Sequence, residues 1–156
     1  MKKRNLPGIF LLIAGLFIIS MSARSQTATD SIKTTINKLF TAMKTSDGAL
    51  LKTCFADSAI LQTIVKNKEG AIVIKNESVE EFIASINGTK KDDLDERIEF
   101  ETVKNDGTLG IAWTPYQFYY KGKFSHCGVN SFQLVRINNE WKIQYLIDTR
   151  RRQGCQ

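Results

Sequence analysis

The residues best suited to bind or transform a small molecule gather between Leu109 and Thr149, a stretch that holds both tryptophans, all four tyrosines and the only histidine. His126 has the side chain for proton transfer near neutral pH. Trp113, Tyr119 and Tyr145 offer flat apolar faces with a polar edge, and Gln117 and Asn130 add amide donors and acceptors. Cys127 directly follows His126, but alternation along a strand sends neighbouring side chains to opposite faces, which separates them as a nucleophilic pair. The chemistry open to this set is ligand contact, with His126 as a candidate catalytic base.

These residues must be positioned by strands. The stretch reads as three strands joined by the polar pairs Lys121-Gly122 and Asn138-Asn139, which suit two-residue hairpin turns. That register places Gln117 opposite His126, Trp113 opposite Asn130, Ile111 opposite Phe132 and Leu109 opposite Leu134. In the second hairpin it places Leu134 opposite Ile143, Phe132 opposite Tyr145 and Asn130 opposite Ile147. All of these then share one face. The face is apolar at one end (Ile111, Phe132, Leu134, Trp141, Ile143) and aromatic and polar at the other (Trp113, Gln117, Tyr119, His126, Asn130, Tyr145). The six residues of the second group are the expected ligand contacts, and Trp141 is assigned to the core. Tyr116, Phe118, Val129, Val135 and Leu146 fall on the opposite face, where an apolar sheet surface would suit a homodimer. Pro115 implies an edge or a bulge within the first strand and leaves the phase from Thr114 to Tyr120 open.

Upstream, Ile32, Ile36, Leu39, Phe40 and Met43 recur at helical spacing and predict a helix over residues 29–45. Ser46-Asp47-Gly48 ends it and caps a short second helix carrying Leu50, Leu51, Cys54 and Phe55. A β-branched run from Ala59 to Val65 and a second from Ala71 to Lys75 read as strands. Ser78-Val79-Glu80-Glu81 is a capping box that starts a third helix with Val79, Phe82, Ile83 and Ile86 on one stripe, ending at Asn87-Gly88. Lys90 to Glu96 reads as a charged loop, and Ile98 to Val103 as a half-exposed strand closed by Asn105-Asp106-Gly107. The sum is one α+β domain, three N-terminal helices on one face of a curved, mostly antiparallel sheet. Asn76-Glu77-Ser78 and Asn87-Gly88-Thr89 match the glycosylation sequon, but both asparagines lie at helix boundaries, where Asn is common for backbone reasons.

The N-terminus reads as a targeting segment. Met1-Lys2-Lys3-Arg4 is basic, Ile9 to Met21 is apolar but shorter than a membrane-spanning helix requires, and Ala23-Arg24-Ser25 offers small residues for cleavage before Gln26. The expectation is a signal peptide over residues 1–25, a single domain over 26–156, and a periplasmic or secreted protein with no membrane attachment after cleavage. Removing 25 of 156 residues leaves 131, and the loss of four basic residues and no acid lowers the formal net charge from +6 to +2. That balance, with a basic cluster only at Arg150-Arg151-Arg152, argues against nucleic acid. Three cysteines (Cys54, Cys127, Cys155) are too few for a disulfide framework and match no metal site. No metal or organic cofactor is implied.

The order helix, helix, strand, strand, helix and then long strands, ending in Phe132 to Ile147 (FQLVRINNEWKIQYLI), resembles the nuclear transport factor 2-like superfamily over residues 28–149. That group includes ketosteroid-isomerase-like, polyketide-cyclase-like and lumazine-binding-like proteins. The resemblance implies a cone-shaped cavity between helices and sheet, and often a dimer through the outer sheet face. Enzymes of the superfamily usually place an Asp, or a His with an acid, in the cavity. The assigned face has neither Asp nor Glu: Asp148 has the opposite parity, Glu99 and Glu101 point away, and Asp57 reaches the mouth only if its loop bends inward.

Three functions follow from these readings. The first is an exported domain binding a small apolar or aromatic molecule in an aromatic and polar cavity. The second is a small isomerase, dehydratase or hydrolase with His126 as base. The third is a non-catalytic interaction domain using the outer sheet face. The first is preferred, because no acid joins His126.

Overall fold

The computed structural model describes residues 27–155; the signal-peptide and cleavage expectations lie outside the described residues. Helix α1 (Ala28–Thr45) begins where the Thr27 side chain accepts the Asp30 N–H and ends at Ser46 in the left-handed region. It buries Ile32, Ile36, Leu39 and Met43, the stripe expected from spacing. The short α2 (Gly48–Lys52) is capped by Asp47, whose side chain accepts the Leu50 N–H. Phe55 belongs not to this helix but to strand β1 (Phe55–Lys66), which hairpins into β2 (Ile72–Glu77). Helix α3 (Val79–Asn87) starts at the Ser78–Glu81 capping box, and both of its reciprocal bonds form.

The expected loop from Lys90 to Glu96 is instead partly strand: β3 covers Leu94–Ile98. The strand expected from Ile98 to Val103 is broken, and β4 is Thr102–Asp106. Both pair antiparallel with β5 (Leu109–Tyr120). The Glu99 N–H donates to the Pro115 carbonyl across the break. N–H and C=O of a strand residue point to the same side, so the donor that Pro115 lacks would face this interruption, where no ladder bond needs it.

Strands β6 (Lys123–Ile137) and β7 (Glu140–Arg151) complete one seven-stranded sheet in the order β2-β1-β7-β6-β5-β3, with β4 also on β5. Among the described residues only β1 and β7 pair in parallel. Helices α1 and α3 cover one face. Ile32, Ile36, Leu39, Phe132, Leu134, Trp141 and Ile143 form the centre of the core between them.

Both hairpin turns close as the sequence implies, with positive φ at Lys121, Gly122, Asn138 and Asn139. Tyr120 opposes Lys123 and Ile137 opposes Glu140. Each hairpin then shifts by one residue. The shift lies between Phe118 and Tyr119, with Ser125 extra on β6, and again between Gln133 and Leu134, with Gln144 extra on β7. Beyond these bulges Phe118, not Gln117, opposes His126, and Thr114, not Trp113, opposes Asn130. Ala112 opposes Phe132, Val135 opposes Leu109, Leu146 opposes Phe132, and Asp148 opposes Asn130. A single extra residue inverts every later side chain relative to its partner strand.

A disulfide joins Cys127 on β6 to Cys155, past the end of β7, while Cys54 is a buried free thiol. Few cysteines can still make one bridge. Here it fastens the C-terminal tail to the sheet, and it removes Cys127 from any nucleophilic role.

Candidate functional site

The first bulge sets Tyr116 and Phe118 of β5 on the helix-covered face beside His126 and Asn130 of β6. The second brings Leu146, Asp148 and Arg150. With Leu39, Phe40 and Met43 of α1, Phe82 and Ile86 of α3, and Leu94 and Glu96 of β3, they surround a cavity of about 230 Å³. The helices supply an apolar wall and the sheet supplies a polar one.

Two hydrogen-bonded groups make up the polar wall. In the first, Asn130 Nδ2 donates to Glu96 Oε1 at 2.8 Å, holding the carboxylate beside the Phe118 strand position. Burial pushes the Glu96 carboxyl up to about 7, further raised by Asp148 and opposed by the Asn130 bond and by Arg150. In the second, the Tyr116 hydroxyl lies 3.1 Å from Asp148 Oδ2 and 3.0 Å from the Thr149 carbonyl oxygen, so its single proton serves one or is shared. Arg150 Nε donates to Asp148 Oδ2 at 2.9 Å, and Arg150 Nη2 to Thr63 Oγ1 at 3.2 Å. Burial, then the Asp148 and Glu96 carboxylates, raise the Tyr116 phenol far above its ordinary range, so it stays a neutral donor.

His126 stands between these groups. Its ring meets Tyr116 edge-on at 5.7 Å and tilts against Phe118 at 5.0 Å, and Nδ1 is 3.1 Å from Ser125 Oγ. Burial lowers its pKa, Arg150 lowers it further, and Asp148 opposes them. The imidazole is therefore neutral at pH 7.

Of the six expected contacts, the structure brings His126 and Asn130 to this cavity. Trp113, Gln117, Tyr119 and Tyr145 belong to the opposite sheet face. Trp113 is 47% exposed. Gln117 lines an outer groove with Arg97 and Cys127. Tyr119 lies under the Arg97 guanidinium at 4.1 Å and donates to Gln117 Oε1. Tyr145 donates to Gln62 Oε1. Conversely Tyr116, Phe118 and Leu146, expected outside, line the cavity, and only Val129 and Val135 of that group face outward with Trp113.

The reason lies in how closely α1 approaches β5. A Cβ on Gly110 would stand 2.7 Å from Ile32 Cδ1 and 3.1 Å from the Trp141 ring. The strand therefore turns Gly110, Ala112 and Thr114 inward and leaves Leu109, Ile111 and Trp113 outside. Trp141 is in the core as expected, 4% exposed. Asp148, set aside by parity, and Glu96, assigned to a loop, are the acids that sequence reasoning missed. The signal for the first was the alternation Asp148-Arg150, opposite charges two apart on one strand face.

Comparison with known proteins agrees with this architecture. Residues 27–144 match the family described as "Putative lumazine-binding". No curated protein matches the chain in sequence. Solved structures share the fold at low identity. An NTF2-like protein of unknown function from Shewanella baltica OS155 is 12% identical, with a TM-score of 0.61, over 78% of this chain and 91% of that one. A domain of unknown function with a cystatin-like fold from Nostoc punctiforme PCC 73102 is 18% identical, with a TM-score of 0.62, over 80% and 78%. A "putative dehydratase from the NTF2-like family" of Streptomyces avermitilis is 11% identical, with a TM-score of 0.59, over 78% and 95%. By its sequence match and its three helices on a curved seven-stranded sheet, the chain belongs to the lumazine-binding-like family of the nuclear transport factor 2-like superfamily.

Proposed function

We propose that this is an exported domain that binds a small apolar or aromatic molecule in the cavity between helices and sheet. The observation that carries this reading is the two-sided cavity, apolar on α1 and α3 and hydrogen-bonding on β3, β5, β6 and β7. A few placed polar groups on an otherwise apolar wall are the usual composition of a ligand site. The family description supports it in kind. Export rests on the basic and apolar N-terminal segments, and the Cys127–Cys155 bridge suits an oxidising compartment. The outer sheet face exposes Ile60, Ile74, Ile111 and Trp113, which supports a homodimer through that face.

The test is native mass spectrometry of protein purified from the exported fraction of its own host. A retained small molecule with wild-type protein, lost or weakened in His126→Gln, supports the reading; wild-type protein without any bound molecule sinks it. The same spectra report the oligomer: a dimer in the wild type that becomes monomer in Trp113→Lys supports the outer-face contact, and a wild-type monomer refutes it.

A second reading has its own observation. The Glu96 carboxyl, raised to about 7, shares the cavity with His126, which is the pairing an acid–base enzyme needs. The dehydratase description of the Streptomyces relative is in keeping with it. Incubating the retained molecule with fresh protein separates the two: unchanged identity means binding, and conversion means catalysis.

A further inference from the structure

Resting on the cavity reading, we propose that the ligand is an organic cation, an amine whose ammonium group meets Glu96 and whose apolar body lies against the aromatic and aliphatic side chains of α1, α3 and β5.

The cations around Glu96 are engaged with other acids. Arg150 is committed to Asp148 at 2.9 Å and to Thr63. Lys44 of α1 and Arg97 of β3 both pair with Asp95, at 3.1 and 2.9 Å. Glu96 receives only the neutral amide of Asn130 and is in no ion pair among the described residues. A partly buried carboxylate without a cation is costly unless a proton or a ligand supplies the charge. The other charged and titratable groups facing it are Glu77 on β2, Tyr116 on β5, His126 on β6, and Asp148 and Arg150 on β7. Tyr116 and His126 are neutral at pH 7, so neither supplies the charge. The helix residues at the cavity are Leu39, Phe40, Met43, Phe82, Ser85 and Ile86, none of them charged.

The cavity is also lined by aromatic side chains. Phe40, Phe82, Tyr116 and Phe118 present rings to the same space, and ring faces attract an ammonium group more strongly once it leaves water. Rings around a carboxylate that is in no ion pair are a recognition set for an amine. An anionic ligand would meet Glu77, Glu96 and Asp148, with Arg150, the cation among the described lining residues, already engaged. The volume of about 230 Å³ lies below the roughly 300–1,000 Å³ of sites for drug-sized molecules, so a small amine is the fitting size.

The test uses three probes of one shape, 2-phenylethylamine, 2-phenylethanol and 3-phenylpropanoate, titrated calorimetrically at pH 6 and pH 8. An aliphatic ammonium stays charged at both values. Glu96 ionises between them, so amine affinity should rise about tenfold from pH 6 to pH 8. At pH 8 the amine should bind at least tenfold more tightly than the alcohol, with the acid weakest. Glu96→Gln keeps the acceptor for Asn130; it should bring amine and alcohol within about threefold and flatten the pH dependence. If the alcohol or the acid binds as well as the amine at pH 8, the cation proposal is wrong while the cavity reading stands. If the amine prefers pH 6, Glu96 acts as a protonated donor and the proposal is equally wrong. No binding of any probe also overturns it, and the retained molecule seen by native mass spectrometry judges the cavity reading separately.

Discussion

Tyr116 crosses β6 directly over Gly128: a Cβ at Gly128 would stand 2.7 Å from Tyr116 Cε1 and 2.8 Å from its hydroxyl oxygen, and would overlap the Thr149 carbonyl oxygen. The phenol reaches Asp148 because nothing fills that space. Gly128→Ala should therefore cost about 3 kcal/mol or more, at the upper end of overpacking penalties because backbone as well as ring must move. Tyr116→Phe, which removes only the hydroxyl bond, should cost about 1–2 kcal/mol. Urea unfolding of both variants checks the order; an alanine variant as stable as wild type would mean that the ring does not lie over Gly128.

The pH dependence of stability follows from Glu96. Its folded pKa of about 7 exceeds the value of 4.5 for an unperturbed Glu, so between those values the folded state holds the extra proton and stability falls as pH rises. The ionised carboxylate should cost up to about 3 kcal/mol at pH 8 relative to pH 4. His126 acts in the opposite sense, since its lowered pKa removes stability as pH falls below about 6.5. Comparing Glu96→Gln with wild type isolates the first effect. The variant should match wild type near pH 4 and exceed it at pH 8, and a difference independent of pH would contradict the assignment.

The two tryptophans should behave oppositely. Trp141→Ala empties a core site and should cost about 3–5 kcal/mol. Trp113→Ala removes a half-exposed ring from the outer face and should change the stability of the monomer by less than about 1 kcal/mol. Denaturant titration at low protein concentration measures both, and equal losses would invert the face assignment.

The bridge between Cys127 and Cys155 closes a loop of 28 residues. On the chain-entropy relation Cys155→Ser should lower stability by about 3.6 kcal/mol. Dithiothreitol should reproduce that loss in the wild type and have no effect on the variant; a wild-type protein insensitive to reductant would show that the bridge is not formed.

The helices, both hairpin turns and the capping box were legible because each rests on local chemistry: the 3.6-residue stripe through Ile32, Ile36 and Leu39, the left-handed pairs at Lys121-Gly122 and Asn138-Asn139, and the reciprocal Ser78–Glu81 bonds. The cavity was only partly legible. Counting outward from a correct turn fails at the first bulge, and neither Ser125 nor Gln144 has a side chain that marks it as the extra residue. Size misled as well, since Trp113 and Ile111 look like residues of the covered face, whereas the close approach of Ile32 leaves no room for a side chain at Gly110. Asn130 and His126 keep the face read for them because no extra residue on β6 separates them from Phe132 and Leu134. Glu96 was missed because Lys90 to Glu96 has charge but no alternation, and its strand is recruited by β5 rather than by its own pattern.

The extra residues at Ser125 and Gln144 also define how this architecture can change. Each stands outside the ladder at its shift, so either can be lost while every pairing beyond it is kept: Phe118 would still oppose His126, and Asn130 would still oppose Asp148. Substitutions alter one wall position at a time, whereas these two points let a strand change length and leave the interior inventory as it is. They act as slack in the chain, where a codon can be lost without a new core or a new set of residues turned inward.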